Sequence, residues 1–427
     1  MTIKKYSTDF ILYAVSTTIS KAVPLLLVFL LSNYFRPSEY GNLSLVQVLI
    51  FVFTCFFGGE FCGGVSRKYF VSNIKNFSIC VSTSLSSILV INAVVVIFVI
   101  TYVHYVGNIL SLNLFLCGIA VVCAALQSVL LILTTTLQMM EKPFRYFSVQ
   151  VIYGVSYLIL IIFSYYTDIL TVPLFFLLQI VATIIAVVAN ICMINDIIKI
   201  KFKICKQEIR YLLAYSSPLI IYSFSSFFIV LYLRYTVKEV GGLYLVGLFA
   251  IAQQMGMLMS NADFVIGKVW TPYAFKLLAK DNIKQFFHSS FKVILLLFSI
   301  FLLLLIVNKL AFSFIISESY KGAEACSFIV LFSFFLKSVY SIFVSYAYFY
   351  EKTIFVAFVN VSVAVFSLSF SKYALVHMSL IGGGISMVLS YFMLMSMVII
   401  FIVFNSKNKV RRLSLVSQTK ELEPVKI

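Results

Sequence analysis

The sequence predicts an all-α polytopic membrane protein of about twelve transmembrane helices, arranged as two parallel-related six-helix lobes around a central cavity. Three observations carry this reading. The first is composition: 62% of the 427 residues are hydrophobic and 11% are charged, against roughly 45–50% and about 25% in a soluble domain. With a mean hydropathy of +1.07, the chain has too few charges to cover a water-soluble fold. The second is the spacing of its apolar runs, and the third is an internal repeat.

A membrane helix needs about 20 mainly apolar residues to cross a hydrocarbon core about 30 Å thick. Such runs cover about 10–33, 43–66, 80–103, 112–138, 147–166 and 172–195, then 212–233, 242–267, 290–308, 325–349, 354–374 and 379–404. With both termini placed in the cytoplasm, 24 of the 32 Lys and Arg residues fall on the inner side and six on the outer. The positive-inside rule selects that orientation. It also explains the net charge of +17 through contact with anionic headgroups, and removes the need for a nucleic-acid partner. The long first run lacks a small-residue cleavage site and reads as a first span, not a signal peptide. The eight cysteines show no CxxC or zinc spacing and read as small membrane-core residues without disulfides.

Ser38-Glu39-Tyr40-Gly41-Asn42-Leu43-Ser44-Leu45-Val46 aligns with Lys238-Glu239-Val240-Gly241-Gly242-Leu243-Tyr244-Leu245-Val246 at an offset of 200, and Glu141-Lys142 with Glu351-Lys352 at an offset of 210. The matches fall before spans 2 and 8 and after spans 4 and 10. Six spans per half make the halves parallel, related by a pseudo-two-fold axis along the membrane normal, a layout that permits alternating access. The expected division is a first lobe at 1–203, a second at 204–404 and a basic cytoplasmic tail at 405–427.

A charge at the bilayer centre costs roughly 2.5–3.5 kcal/mol on insertion scales, so charged residues within spans mark candidate sites. Lys21 and Lys337 lie about 16 Å into spans 1 and 10 at 1.5 Å per residue, with no acid at their depth in the linear reading. Facing a wet cleft, they would attract an anionic substrate group; the alternative is a snorkelling or internally paired side chain. Arg234, at the outer end of span 7, extends this positive path or anchors at the interface. Glu60 and Asp263 sit late in spans 2 and 8. They are candidates for a cytoplasmic gate or a coupling-ion site, pairing with Arg67 and Lys268; the alternative is local neutralisation. Pro24 and Pro218, in the first helix of each half, remove a backbone hydrogen bond and are hinge candidates. Gln47, Gln253, Gln254, Asn261, Asn190 and Asn360 supply interhelical hydrogen bonds, with sugar contacts open to those facing the cleft.

The run Asn33-Tyr34-Phe35-Arg36-Pro37-Ser38-Glu39-Tyr40-Gly41 after a first span bearing Lys21 and Pro24, together with the Glu141-Lys142-Pro143-Phe144 step, resembles the polysaccharide transporter family. Within it the chain is similar to the O-antigen flippases (Wzx-type). That resemblance implies membership of the multidrug/oligosaccharidyl-lipid/polysaccharide exporter superfamily and a MATE-like fold in a bacterial inner membrane. It implies an undecaprenyl-pyrophosphate-linked oligosaccharide as substrate, contacted by Lys21 and Lys337. It also implies coupling to a proton or sodium gradient, polysaccharide-assembly proteins as partners, and no cofactor. No GxxxxGK[ST] motif for ATP occurs. A membrane O-antigen polymerase fits less well, because the outer loop at 309–324 carries only Lys309, Glu318, Lys321 and Glu324 as charges. A MATE-like small-molecule antiporter remains the closest alternative; as a cation extruder it would place acids, not lysines, at the midplane.

Overall fold

The computed structural model describes residues 26–105, 112–230, 232–280, 282–350 and 352–421. Lys21, Pro24 and Glu351 lie outside them. The described chain is all-helical. A short α1 (26–34) precedes α2 (Pro37–Thr54), a π-helical turn (Cys55–Gly59) and α3 (Phe61–Val71). Then follow α4 (Ile74–Tyr105), α5 (Leu114–Met139), α6 (Pro143–Tyr166), α7 (Val172–Asn195), α8 (Lys206–Val230), α9 (Tyr232–Ala279), α10 (Ile283–Phe314), a 3₁₀ turn (Glu318–Ala323), α11 (Glu324–Phe349) and α12 (Thr353–Glu421). Among the described residues, nine helices are long and apolar enough to cross a membrane.

The helices begin where the sequence offers caps. Pro37 opens α2 with its fixed φ while the Glu39 carboxylate accepts from the Arg36 backbone N–H at 3.0 Å, satisfying a donor the helix leaves orphaned. Asn113 caps α5 by accepting from Leu116 N at 3.0 Å, and Thr171 caps α7 through Leu174 N.

Some expected spans have no loop between them. The span expected at 43–66 runs from Pro37 to Val71 and is broken at Gly58, whose φ of 95° suits only glycine. Spans 7 and 8 meet through helical residues 232–241 and a break at Gly242, φ 68°. The single label α12 covers spans 11 and 12. At Ser379 (φ 50°) the chain reverses. Gly382 lies against the Ala374 carbonyl, and the Phe355 and Phe401 rings stack with centroids 4.1 Å apart. Both pairs have the same residue sum, the mark of an antiparallel hairpin. The segment expected as an outer loop at 309–324 is instead largely helix up to Phe314 followed by the 3₁₀ turn.

Contacts divide the chain into two compact units. One holds residues up to Ile251 with Ile315–Ala323; the other holds Ala252–Phe314 and the chain from Glu324 on. In the first, α5 is central, packing on α2, α4 and α7. Its inward stripe is small (Cys117, Ala120, Cys123, Ala124 and Ser128 are all buried), which lets backbones approach where burial in lipid supplies no hydrophobic drive. In the second, α11 packs on α10 and on both arms of α12.

The repeat at Ser38–Val46 and Lys238–Val246 packs against itself. Gly41 lies so close to the Leu243 carbonyl, and Gly247 to the Pro37 carbonyl, that a Cβ on either would overlap backbone. Overpacking of this kind costs about 1–3 kcal/mol. Gly41→Leu and Gly382→Leu are therefore expected to lower the thermal unfolding midpoint of the purified protein in detergent. Gly118→Ala, with nothing within 4 Å of the added Cβ, should leave it unchanged or slightly raised; equal shifts in all three would refute the packing account.

Candidate functional site

The second unit carries a polar stripe between α9 and α11. Lys337, Ser341 and Ser345 stand at i, i+4 and i+8 on α11, which puts them on one helical face. Each meets a polar residue of α9 in ascending order. Lys337 Nζ donates to Ser260 Oγ at 3.3 Å, Ser341 Oγ donates to the Asp263 carboxylate, and Trp270 Nε1 reaches the Ile342 carbonyl at 3.0 Å and Ser345 Oγ at 3.3 Å. Both sequences ascend together, so the two helices run parallel, as even-numbered spans must. Gly256 sits against Val330 and Phe334, which brings the helices close enough for these bonds.

Lys337 is thus held from three directions. Its ammonium lies 5.4 Å from the centroid of the Phe334 ring, within cation–π range, and within the electrostatic reach of Asp263. The linear reading put no acid at its depth; helix α9 supplies one, because residues 74 apart in sequence are brought level by parallel packing. Asp263 is 9% exposed. A lysine and an aspartate set together in one stripe of apolar helices are costly to insert, and such residues mark ion or substrate pathways. The arrangement can hold an anion at the ammonium or a cation at the carboxylate, and each ligand alters the field at the other's place.

Nearby amides brace the stripe. Asn360 Nδ2 donates to Tyr340 OH at 3.1 Å and Gln253 Nε2 contacts Met387 Sδ at 3.7 Å, as expected of interhelical amides. Asn190 in α7 is fully buried, yet among the described residues neither of its amide atoms has a partner. Asn308, not singled out from the sequence, donates to Ser327 Oγ at 2.8 Å.

Of the remaining charged candidates, Glu60, Arg67 and Arg234 fall in the first unit and Lys268 in the second. Glu60 caps the π-turn, its carbonyl accepting from Ser216 Oγ at 3.1 Å. Arg67 sits over the Tyr215 ring at 5.5 Å, and Lys268, in the second unit, over the Phe264 ring at 4.7 Å. An ion pair the sequence did not reveal joins Lys68 to Glu208 at 2.7 Å, linking α3 to α8. Pro218 lies within α8, with its side chain outside the described set. Arg234 is 2% exposed and donates from Nη1 to the Ser44 carbonyl at 3.2 Å, beside Tyr40. Tyr40 packs edge-on against Tyr320, whose hydroxyl donates to the Phe35 carbonyl at 2.9 Å. Tyr40-Gly41 of the family-like motif is therefore a packing device: the ring fills, and the glycine admits the Leu243 backbone.

No family model matches the sequence, and no curated protein matches it. Solved structures do. An inward-facing multidrug-resistance MATE family transporter of the MOP superfamily superposes with a TM-score of 0.73 at 13% identity, covering 95% of this chain and 96% of that one. The lipid II flippase MurJ in an inward closed conformation gives 0.71 at 12% identity, over 92% and 87%. A MOP superfamily transporter from Pyrococcus furiosus, described as having a binding pocket of reversed polarity that suggests a different function, gives 0.65 at 14%, over 94% and 95%. Over nearly its whole length the chain has the fold of the MOP superfamily transporters.

Proposed function

We propose that this protein is a flippase for a lipid-linked oligosaccharide with an anionic head, an undecaprenyl-pyrophosphate-linked O-antigen repeat unit, moved from the cytoplasmic to the periplasmic leaflet of a bacterial inner membrane. The observation that carries this is Lys337, a lysine midway along an apolar helix and held by Ser260, Phe334 and the field of Asp263. Its ammonium suits a phosphate oxygen. The MOP fold, shared with a lipid II flippase, and the resemblance of the Asn33–Gly41 segment to polysaccharide transporters support the same substrate class. On this reading residues 1–203 and 204–404 are the two lobes, Lys21 is the counterpart of Lys337, and both termini face the cytoplasm.

The stripe also supplies a coupling mechanism. A pyrophosphate engaging Lys337 withdraws positive charge from Asp263, and a proton or sodium ion binding Asp263 releases Lys337 towards the substrate. Each ligand changes the affinity for the other by the same factor. Glu60 is a second coupling candidate, and Arg67 and Lys268 are gate candidates. Arg234, enclosed against Ser44 and Tyr40, acts as a latch between the two repeat copies and not as a substrate contact. A small-molecule antiporter is favoured by one observation: Asp263 partly neutralises Lys337, so the stripe is less cationic than the lysine alone.

In a bacterium deleted for its own copy, Lys337→Ala and Lys21→Ala are each expected to impair surface polysaccharide by tenfold or more, the scale of about 1.4 kcal/mol of lost binding, while membrane levels of the protein stay normal. Normal polymer in both variants would overturn the cationic-site reading. Asp263→Asn should retain substrate binding but lose the response of transport to an imposed ion gradient. Lipid-linked sugars should accumulate on the cytoplasmic face in the deletion strain; translocated but unpolymerised units there would point to a polymerase instead.

A further inference from the structure

Between α7 and α8 the chain crosses residues 199–205 without helix or turn. Such a segment must find partners for its backbone polar groups, and it finds them on one face of α4. Ser78 Oγ donates to the Lys199 carbonyl at 3.0 Å. Lys201 N donates to Ser82 Oγ at 3.2 Å, Lys203 N to Ser86 Oγ at 3.2 Å, and Cys205 N to Thr83 Oγ1 at 3.3 Å. The registers match physically. Four residues of helix rise about 6 Å and two residues of extended chain about 6.6 Å, so serines at 78, 82 and 86 meet residues 199, 201 and 203. Other hydroxyls of α4, Ser84 and Ser87, bond back to their own helix at Cys80 and Thr83.

The strap that results is two-faced, because residues two apart in extended chain share a side. Lys199, Lys201 and Lys203 line a cavity of about 400 Å³ together with Lys75, Ser78 and Ser82. Among the described residues no acid lines it, and none of the four lysines makes an ion pair. The other face presents Phe202, 74% exposed, and Ile204, 45% exposed. Lysines beside a projecting aromatic are the chemistry of a segment that rests at the bilayer surface, its basic groups at phosphate level and its apolar ones among acyl chains.

We propose that this cavity binds the phosphate of an anionic membrane phospholipid, held by Lys75, Lys199, Lys201 and Lys203, with Phe202 and Ile204 inserted beside its acyl chains. The serine ladder on α4 positions the lysines. The proposal goes from a general attraction of basic loops for the inner leaflet to one defined site, and it is independent of the transported substrate.

The test is native mass spectrometry of the full-length protein released from mixed micelles containing phosphatidylglycerol and phosphatidylcholine. The wild type should retain phosphatidylglycerol selectively. The triple variant Lys199→Gln/Lys201→Gln/Lys203→Gln should lose about fivefold of that preference per lysine, about a hundredfold in all, from roughly 1 kcal/mol per basic group at a membrane surface. Ser82→Ala/Ser86→Ala, which leaves every charge in place, should weaken retention in the same direction. The control triple Lys276→Gln/Lys280→Gln/Lys284→Gln should not. Equal losses in the two lysine triples would mean diffuse attraction and overturn the site. So would displacement of phosphatidylglycerol by inorganic phosphate alone, which would mark a free-anion site, or stronger retention of a polyprenyl pyrophosphate than of phosphatidylglycerol, which would assign the cavity to substrate. Unchanged retention in the serine pair would remove the ladder from the proposal.

Discussion

Hydrocarbon offers no hydrogen-bond partner, so every polar group carried into it has to be satisfied by the protein itself. Much of the structure follows from that constraint. It makes the fold helical. It also decides where the helices touch, because polar side chains placed on them bond across the contact. The α9–α11 interface is the clearest case: Lys337, Ser341 and Ser345 have a helical period on one helix and find Ser260, Asp263 and Trp270 in parallel on the other.

Where polar bonds do not set the approach, absent side chains do. The two copies of the internal repeat meet at Gly41 and Gly247, each lying on the other copy's backbone. Tyr40, Arg234 and Tyr320 fill the space around that contact. The breaks at Gly58, Gly242 and Ser379 change helix direction at positive φ, two of them at the residue type that takes such angles without strain. Contact by small residues and redirection at isolated points are what a helical bundle can use in place of the hydrophobic collapse available in water.

Lysine serves two ends in two settings. Lys337 is half-buried, and its charge is shared among a hydroxyl, a ring face and an aspartate, so any ligand that takes it must compete with those partners. Lys199, Lys201 and Lys203 stand exposed and, among the described residues, make no ion pair, on a strap whose backbone bonds to hydroxyls of α4. The first arrangement suits exchange during a cycle, the second a standing attachment to a phosphate. The same ammonium chemistry separates into these roles through burial and the number of protein partners, not through residue type.

The fold class was legible in the sequence, because span length and hydropathy follow directly from bilayer thickness. The Glu39-Tyr40-Gly41 step stood out in the sequence through its match at an offset of 200, and it proved to be a cap, a packing ring and a glycine contact. Mid-span Lys337 was visible as an anomaly through the cost of its charge. Its partner was not: Asp263 lies 74 residues away, and only parallel packing of α9 on α11 places it there. Nor could the sequence show Lys68 paired with Glu208, Arg234 turned into the protein, or the loop near 320 seated on Tyr40, since each joins segments far apart in the chain. The serines of α4 look alike in sequence, and it is the neighbouring strap that separates those bonding outward from those bonding to their own helix. What this sequence determined by itself was the apolar character and approximate place of the spans; their ends, their breaks and which side chain meets which were left to tertiary structure, because a hydrogen bond acts over about 3 Å and the chain order does not record that distance.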